Sequence, residues 1–477
     1  MVLTGEDFLV DGQMAVRDAG CPTCRVMEIK GYFWHQDPEL KVPLANEWFD
    51  RIIAEFTRPL TAEELNPEPL KREPFPDDII GPCDSYADAV EAYNEYLCGQ
   101  HWTTGAYLVP PTREKVDWML SGISRDPQDV IGSKPGAETV DGVVTVEKVA
   151  INSVMVGAKP EYLPVIVAAM ECLQDEEYDS LHMSASAGSF DTIICVGGAI
   201  SQEIGMNQKT GIWGYGYRAN STIGQAVRLT TINLGHLWPG ENDMAANGRD
   251  SIISFKTFSE NYEFSPWAPY HTADVAGGYP ATASSVTCST VSPGTGSFAG
   301  NNAKDIMKSI LTTCKNKGFN TIRAYQRGQA MPNAHPQKTI LVIYPGKAGL
   351  IKDEFGFKSI QEFIDYVYDN TKIDASELTE DDFKKIQDRV ENSDAAGSIY
   401  ADILPTTGAR EEWRNVYQTK SGVIHSFIEK RDFVVLVCGS SEGYGNAVSF
   451  SYMRAPYNWC SLKTKQIKGA TLTQNGK

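Results

Sequence analysis

The sequence lacks any apolar run of 18 residues or more, and its mean hydropathy is −0.29, so it offers no candidate membrane-spanning helix. Histidine is scarce, with seven in 477 residues, and no two have His-x-His or His-x-x-x-His spacing. A histidine-rich metal site is therefore not supported. No phosphate-binding Walker loop is present, and the opening MVLTGEDFLVDGQM carries acids where a secretion signal needs a basic and then an apolar stretch. Ten cysteines are a modest number, and several sit in apolar runs such as TIICVGG and VVLVCGS. They read as the thiols of a cytoplasmic protein rather than as structural disulfides. Basic residues are outnumbered, 43 against 61, leaving a net charge of −18. Such a chain repels phosphate backbones, which argues against nucleic acid as a partner.

The acidity is uneven. Residues 1–100 hold 20 acids and 8 bases, and residues 361–400 hold 11 acids and 4 bases. These blocks read as solvated surface, with a docking surface for a basic partner as the other reading. Hydrophobic residues at 42% and charged residues at 22% are ordinary for a globular protein and exclude disorder.

Four regions follow from local composition. Residues 1–58 form an N-terminal segment containing Cys21-x-x-Cys24 and the aromatic run Tyr32, Phe33, Trp34. Residues 59–82 hold six prolines and read as an extended linker. Residues 83–140 read as a helical connector, with Asp84 or Ser85 capping the first helix. Residues 141–477 form the core, as one body or two subdomains. There, buried-strand runs ending in glycine (192–198, 339–346 and 433–439) alternate with helical stretches. Among these are 159–173, opening at Pro160; 303–318, ending on Gly318; a capping box at Ser359 and Glu362; and a helix opened by Thr379 and Asp382. The pattern predicts an α/β fold, with a mixed or parallel sheet core, flanking helices and an N-terminal extension. Residues 281–302, small and polar, read as a long loop or lid. No tandem repeat of 20–50 residues is visible.

Candidate chemistry lies at five places. Cys21 and Cys24 have the spacing of a redox dithiol or a soft-metal site, and two incidental thiols are the third reading. Gly214-x-Gly216-x-x-Ala219 superficially fits a dinucleotide fingerprint, but the preceding EIGMNQKT is not an apolar strand, so no Rossmann cofactor is expected. A helix starting at Asn220 or Ser221 beside Arg218 would hold a carboxylate or phosphate, Thr222 lying in its first turn. Ser265-Pro-Trp267-Ala-Pro-Tyr270-His271 is a proline-stiffened aromatic loop whose histidine suits proton transfer. Cys438 ends an apolar run, where backbone amides would lower its pKa and make it nucleophilic. Arg218, Asn220 and His271 are expected to line one pocket, with Trp267 in its wall.

The stretches EKVAINSVMVGAKPEYLP, GYGYRANSTIGQAVRL and SPWAPYH resemble a large bacterial family. Some of its members accompany or are fused to the UGSC selenoprotein module, named for its Sec-Gly-Ser-Cys motif. The resemblance runs from about His101 to about residue 372. It implies redox or soft-nucleophile chemistry, with matching positions at Lys159, Glu161, Arg218, Asn220, Thr222, Trp267 and His271. Cys438-Gly439-Ser440-Ser441 echoes the module's motif, with serine where the final cysteine would stand. Residues 1–100 lie outside the resemblance, and their dithiol would supply what the module supplies elsewhere.

The expected function is therefore an enzyme, oxidoreductase first, acting on a small polar or anionic molecule. Cys438 and His271 are the reacting groups, Arg218 and Asn220 bind the anion, and no membrane or nucleic acid is involved. The alternatives are a thiol-independent lyase or hydratase using His271 with Lys159 or Glu161, and a non-catalytic subunit docking a small protein partner. A homo-oligomer is compatible with each.

Overall fold

Residues DTIICVG form the strand Asp191–Gly197, buried along its whole length. Its alternate side chains enter different cores, which is why residues 193–197 are without a polar side chain. Ile194 and Val196 pack among the helices Val146–Met155, Leu163–Leu173 and Arg218–Gly235. Ile193 and Cys195 face a second cluster containing Ile340, Val342, Val435 and Leu436. The computed structural model describes residues 1–477 apart from 6–7, 19–20, 22, 31–37, 67–82, 134–142, 177, 179, 181–188, 236, 241–242, 249–252, 292–295, 324–336, 394–406, 442–446, 454–461 and 472–477. Tyr32, Phe33, Trp34, His35 and most of the proline-rich linker thus lie outside the described residues.

The fold is α/β, with two mixed four-stranded sheets. In the first, the order is Leu462–Gln466, Ser285–Val291, Asp191–Gly197, Lys256–Ser259. Only the last pair is parallel. In the second, the order is Gly296–Phe298, Ala447–Met453, Gln337–Ile343, Phe433–Val437, again with only the last pair parallel. The two sheets therefore share one topology, and each central strand is preceded by a long helix, Leu163–Leu173 or Ala303–Arg323. The fourth strands are exchanged. Gly296–Phe298 follows the first sheet in the chain but pairs in the second, and Leu462–Gln466 does the converse. The register matches as well. The carbonyls of Val196 and Ile343 accept the amides of Glu260 and Cys438, each at 2.9 Å and each one residue past the parallel neighbour. This duplication is invisible to a search for short repeats because the copies share topology rather than sequence pattern.

Several local expectations are met. Ser85 caps Tyr86–Gly99, accepting from the Asp88 amide, and Thr379 and Asp382 exchange hydrogen bonds at the start of Glu380–Ser393. Ser359 accepts from the Glu362 amide at 3.2 Å. Ser359→Ala should cost about 1 kcal/mol in a denaturant titration, and an unchanged midpoint would show that solvent replaces the cap.

Others are corrected. The 281–302 stretch is not a lid: it contributes two strands, because SSVTCSTV combines β-branched residues with serines small enough to be buried. The 303–318 helix runs on to Arg323. Gly318 is not its cap; a Cβ there would stand 2.6 Å from Ser426 Oγ, so glycine permits close packing. Pro160 opens a 3-10 turn, Pro160–Tyr162, ahead of the α-helix. Within 59–82, Ala62–Leu65 is a helical turn rather than extended chain, closed by reciprocal bonds between Thr61 and Glu64.

At the N-terminus, the strands Val2–Gly5 and Val26–Ile29 pair in parallel around the helix Leu9–Asp18. Arg25 and Arg58 both engage Glu64, tying this unit to the end of the helix Pro38–Thr57. A separate helical lobe packs Phe383, Ile386, Trp413 and Val416 over the antiparallel strand pair Lys372–Asp374 and Val423–His425. Among the described residues no helix is long and apolar enough to cross a membrane.

Candidate functional site

The carboxyl ends of the two parallel strand pairs meet. Asn261, just past the strand Lys256–Ser259, donates its amide to Val437 O (2.8 Å) in the other sheet. Its side-chain Nδ2 donates to Gly439 O (2.9 Å) and Gln208 O (3.1 Å), and its Oδ1 accepts from the Phe264 amide. One buried asparagine thus joins both repeats and the segments at Gln208 and Gly439, with every polar atom used. Gly439, at φ +90°, lets this turn form; a Cβ there would press on the Tyr344 ring at 2.6 Å.

Five side chains able to do chemistry crowd this junction. Glu260 is buried, and its Oε1 accepts from the Tyr270 amide at 2.9 Å. Burial pushes its carboxyl up to about 8, so protonated and ionised forms are both accessible near neutrality. A Cβ on Gly197 would lie 2.4 Å from Glu260 Oε2 and 3.4 Å from both His271 Nδ1 and Ser285 Oγ, so the three groups flank the same point of backbone. His271 has no solvent exposure. Its Nε2 meets Pro280 O at 3.2 Å and its Nδ1 meets Ser285 Oγ at 2.8 Å. A carbonyl only accepts, so Nε2 carries the proton, and Ser285 donates to Nδ1. Burial lowers the histidine's pKa, favouring the neutral imidazole. On the other side, Cys195 and Cys438, one from each repeat, lie buried in the same core cluster. Both feel the Glu260 charge.

The expected activation of Cys438 is corrected here. Burial raises its pKa, since the thiol is enclosed by the core rather than by free amides. Cys195 is raised well above the ordinary value for the same reason.

Other residues selected from the sequence fall elsewhere. The helix begins at Arg218, so Asn220 lies inside it and does not cap it. Asn220 accepts from the Asn207 amide and donates to Thr257 O, a bracing role. Arg218 is exposed, and its Nε and Nη2 both donate to Gly157 O, at 2.8 and 2.6 Å. Thr222 donates back to Arg218 O. Lys159 and Glu161 form a half-exposed pair at 3.5 Å in the segment following Gly157. Trp267 is buried, with Nε1 donating to Phe357 O. Arg218, Asn220 and His271 thus occupy three different environments rather than one pocket. Cys21 and Cys24 lie in the turn before Val26–Ile29, joined by a Cys24 N to Cys21 O bond of 2.8 Å. Among the described residues, no cluster of three or more histidine, cysteine or acidic side chains could hold a metal.

Sequence reasoning missed Glu260, Asn261, Ser285 and Cys195. The signal for the first two was a charged and an amide residue directly after the strand FKTFS, at the strand end where α/β sites gather. It also expected no Gly-x-Ser-x-Gly elbow, although Gly439-x-Ser441-x-Gly443 has that spacing. Ser441 is half-buried, but the next described element is the strand Ala447–Met453, not the helix an elbow needs.

Compared with protein-family models, curated proteins and solved structures, the chain matches none of them.

Proposed function

We propose that this chain is an enzyme that transforms a small polar or anionic molecule by thiol-dependent redox chemistry, with Cys195 and Cys438 as the reacting pair and Glu260 as their proton acceptor. The observation that carries this reading is that two buried cysteines, one from each repeat, share one core cluster, with the buried Glu260 carboxyl, pushed up to about 8, at the same junction. Oxidation of the pair breaks two S–H bonds and forms one S–S bond. Two electrons pass to the substrate, a small two-electron acceptor. One proton passes to Glu260 and the other leaves with the reduced product. A small-molecule thiol reductant restores the dithiol. Because burial keeps both thiols protonated at rest, the attacking thiolate must form within the step, which is the work of a nearby base. The resemblance to the UGSC-associated family points to the same soft-nucleophile chemistry.

The test is peptide mass spectrometry, without reduction, after treatment with diamide. Wild type should yield a Cys195–Cys438 cross-link, and either cysteine-to-serine variant should lose it. Turnover of an acceptor found by screening small carbonyl and disulfide compounds should fall at least 100-fold in both variants. Recovery of both thiols unlinked, with full activity in Cys438→Ser, would overturn the reading.

A second reading, a thiol-independent lyase or hydratase, is favoured by the Ser285–His271 hydrogen bond, in which a neutral imidazole faces a hydroxyl proton. In that case Cys438→Ser would be active, and His271→Gln would not.

A further inference from the structure

We propose that a cavity at the opposite end of the first sheet binds a small aromatic molecule carrying one carboxylate. The cavity has a volume of about 650 Å³ and lies between the helix Arg218–Gly235, the start of Asp191–Gly197, the end of Ser285–Val291 and residues 237–239, 243 and 247–248. That volume is within the range of small-molecule sites, about 300–1,000 Å³. Thr192, which lines it, precedes Gly197 by five strand positions, roughly 17 Å at 3.3 Å per residue, so it is distinct from the thiol junction.

The chemistry of the walls defines the ligand. Leu173, Ile232, Leu237 and Phe255 supply apolar surface, and Thr192, Thr290 and Tyr178 supply hydroxyls. Tyr178 and Thr290 are already joined at 2.8 Å, a fixed polar edge. Arg228 is the cation among the described lining residues, its side chain only 13% exposed. Its guanidinium lies 5.3 Å from the Phe255 ring centroid, with Nη1 3.8 Å from Asp191 Oδ1. An arginine held from two sides is a preorganised fork for a carboxylate. Trp238 stacks on His101 (centroids 3.8 Å apart, planes within 9°), giving the wall a flat aromatic edge suited to a planar ligand. Asp243 also lines the cavity, its Oδ1 accepting from the Ala245 amide at 3.3 Å. Its charge opposes a second anionic group, so the site suits a monocarboxylate rather than a phosphate ester. This inference does not depend on the thiol chemistry proposed above.

Titration calorimetry on the full chain tests it, with indole-3-acetate as probe and indole-3-acetamide as its uncharged counterpart. The acetate should bind, and the amide should bind at least tenfold more weakly. Arg228→Gln should lose at least tenfold in affinity for the acetate. Leu237→Trp, which fills the cavity without touching the ion pair, should do the same at an unchanged melting temperature. If Arg228→Gln does not fold, Leu237→Trp and the amide decide the matter. No heat from the acetate up to millimolar concentration, equal binding of the amide, or full affinity in Leu237→Trp would each overturn the proposal.

Discussion

Glu260→Gln should make the protein more stable above pH 7, and the gain should grow up to about pH 8. The folded carboxyl holds its proton up to about 8, whereas an ordinary glutamate releases it near 4.5. Because the folded value is the higher one, the folded state binds more protons across that window. Stability is therefore fully present below 4.5 and is lost as pH rises through 8. At 1.36 kcal/mol per unit, the cost of leaving this group in the core is on the order of 5 kcal/mol at high pH. Glutamine keeps an oxygen that can accept from the Tyr270 amide and removes the titration. Urea titrations at pH 5, 7 and 9 measure the effect: wild type should weaken steeply across the series and the variant should not. Parallel slopes would show that the carboxyl is not the source. If the thiol reading is also right, the same variant loses turnover while gaining stability, the usual trade-off at a reacting site.

Gly224→Ala should destabilise the fold by about 2 kcal/mol, against the roughly 1 kcal/mol that alanine normally gains inside a helix. The added Cβ would stand 2.2 Å from Phe255 O and 2.3 Å from Thr257 Oγ1. The first is backbone and cannot rotate away, so the helix Arg218–Gly235 must lift off the strand Lys256–Ser259. The effect is read as a lowered midpoint in chemical denaturation. A midpoint that rises would mean that the helix and strand separate at little cost.

Strands with a continuous apolar stretch were legible because burial on both faces selects apolar side chains, as in residues 193–197 of the strand Asp191–Gly197. Ser285–Val291 is equally buried but was read as loop, since serine and threonine carry the same signal in a turn and in a strand with satisfied hydroxyls. The helix from Arg218 was read as starting after a cap at Asn220 or Ser221, three or four residues too late. The error moved Asn220 from cap to interior and so changed its role. His271 and Cys438 were singled out from their neighbours in sequence, and both do reach the junction. Glu260 and Cys195 come from strands far apart in the chain, and nothing local marks a glutamate as buried. The arginine that reaches a cavity is Arg228, not Arg218, two positions on one helix whose surroundings only the packing distinguishes.

The exchanged edge strands have a consequence for synthesis. Ser285–Val291 leaves the ribosome long before Leu462–Gln466, which covers its open side. Until then a fully buried strand presents unpaired amides and carbonyls, a template for any other chain in the same state. The second sheet cannot shield it, since its own strand Ala447–Met453 is made nearly as late. Each repeat completes its sheet with a strand from the other, so the nascent first sheet keeps an open edge until Leu462–Gln466 has emerged.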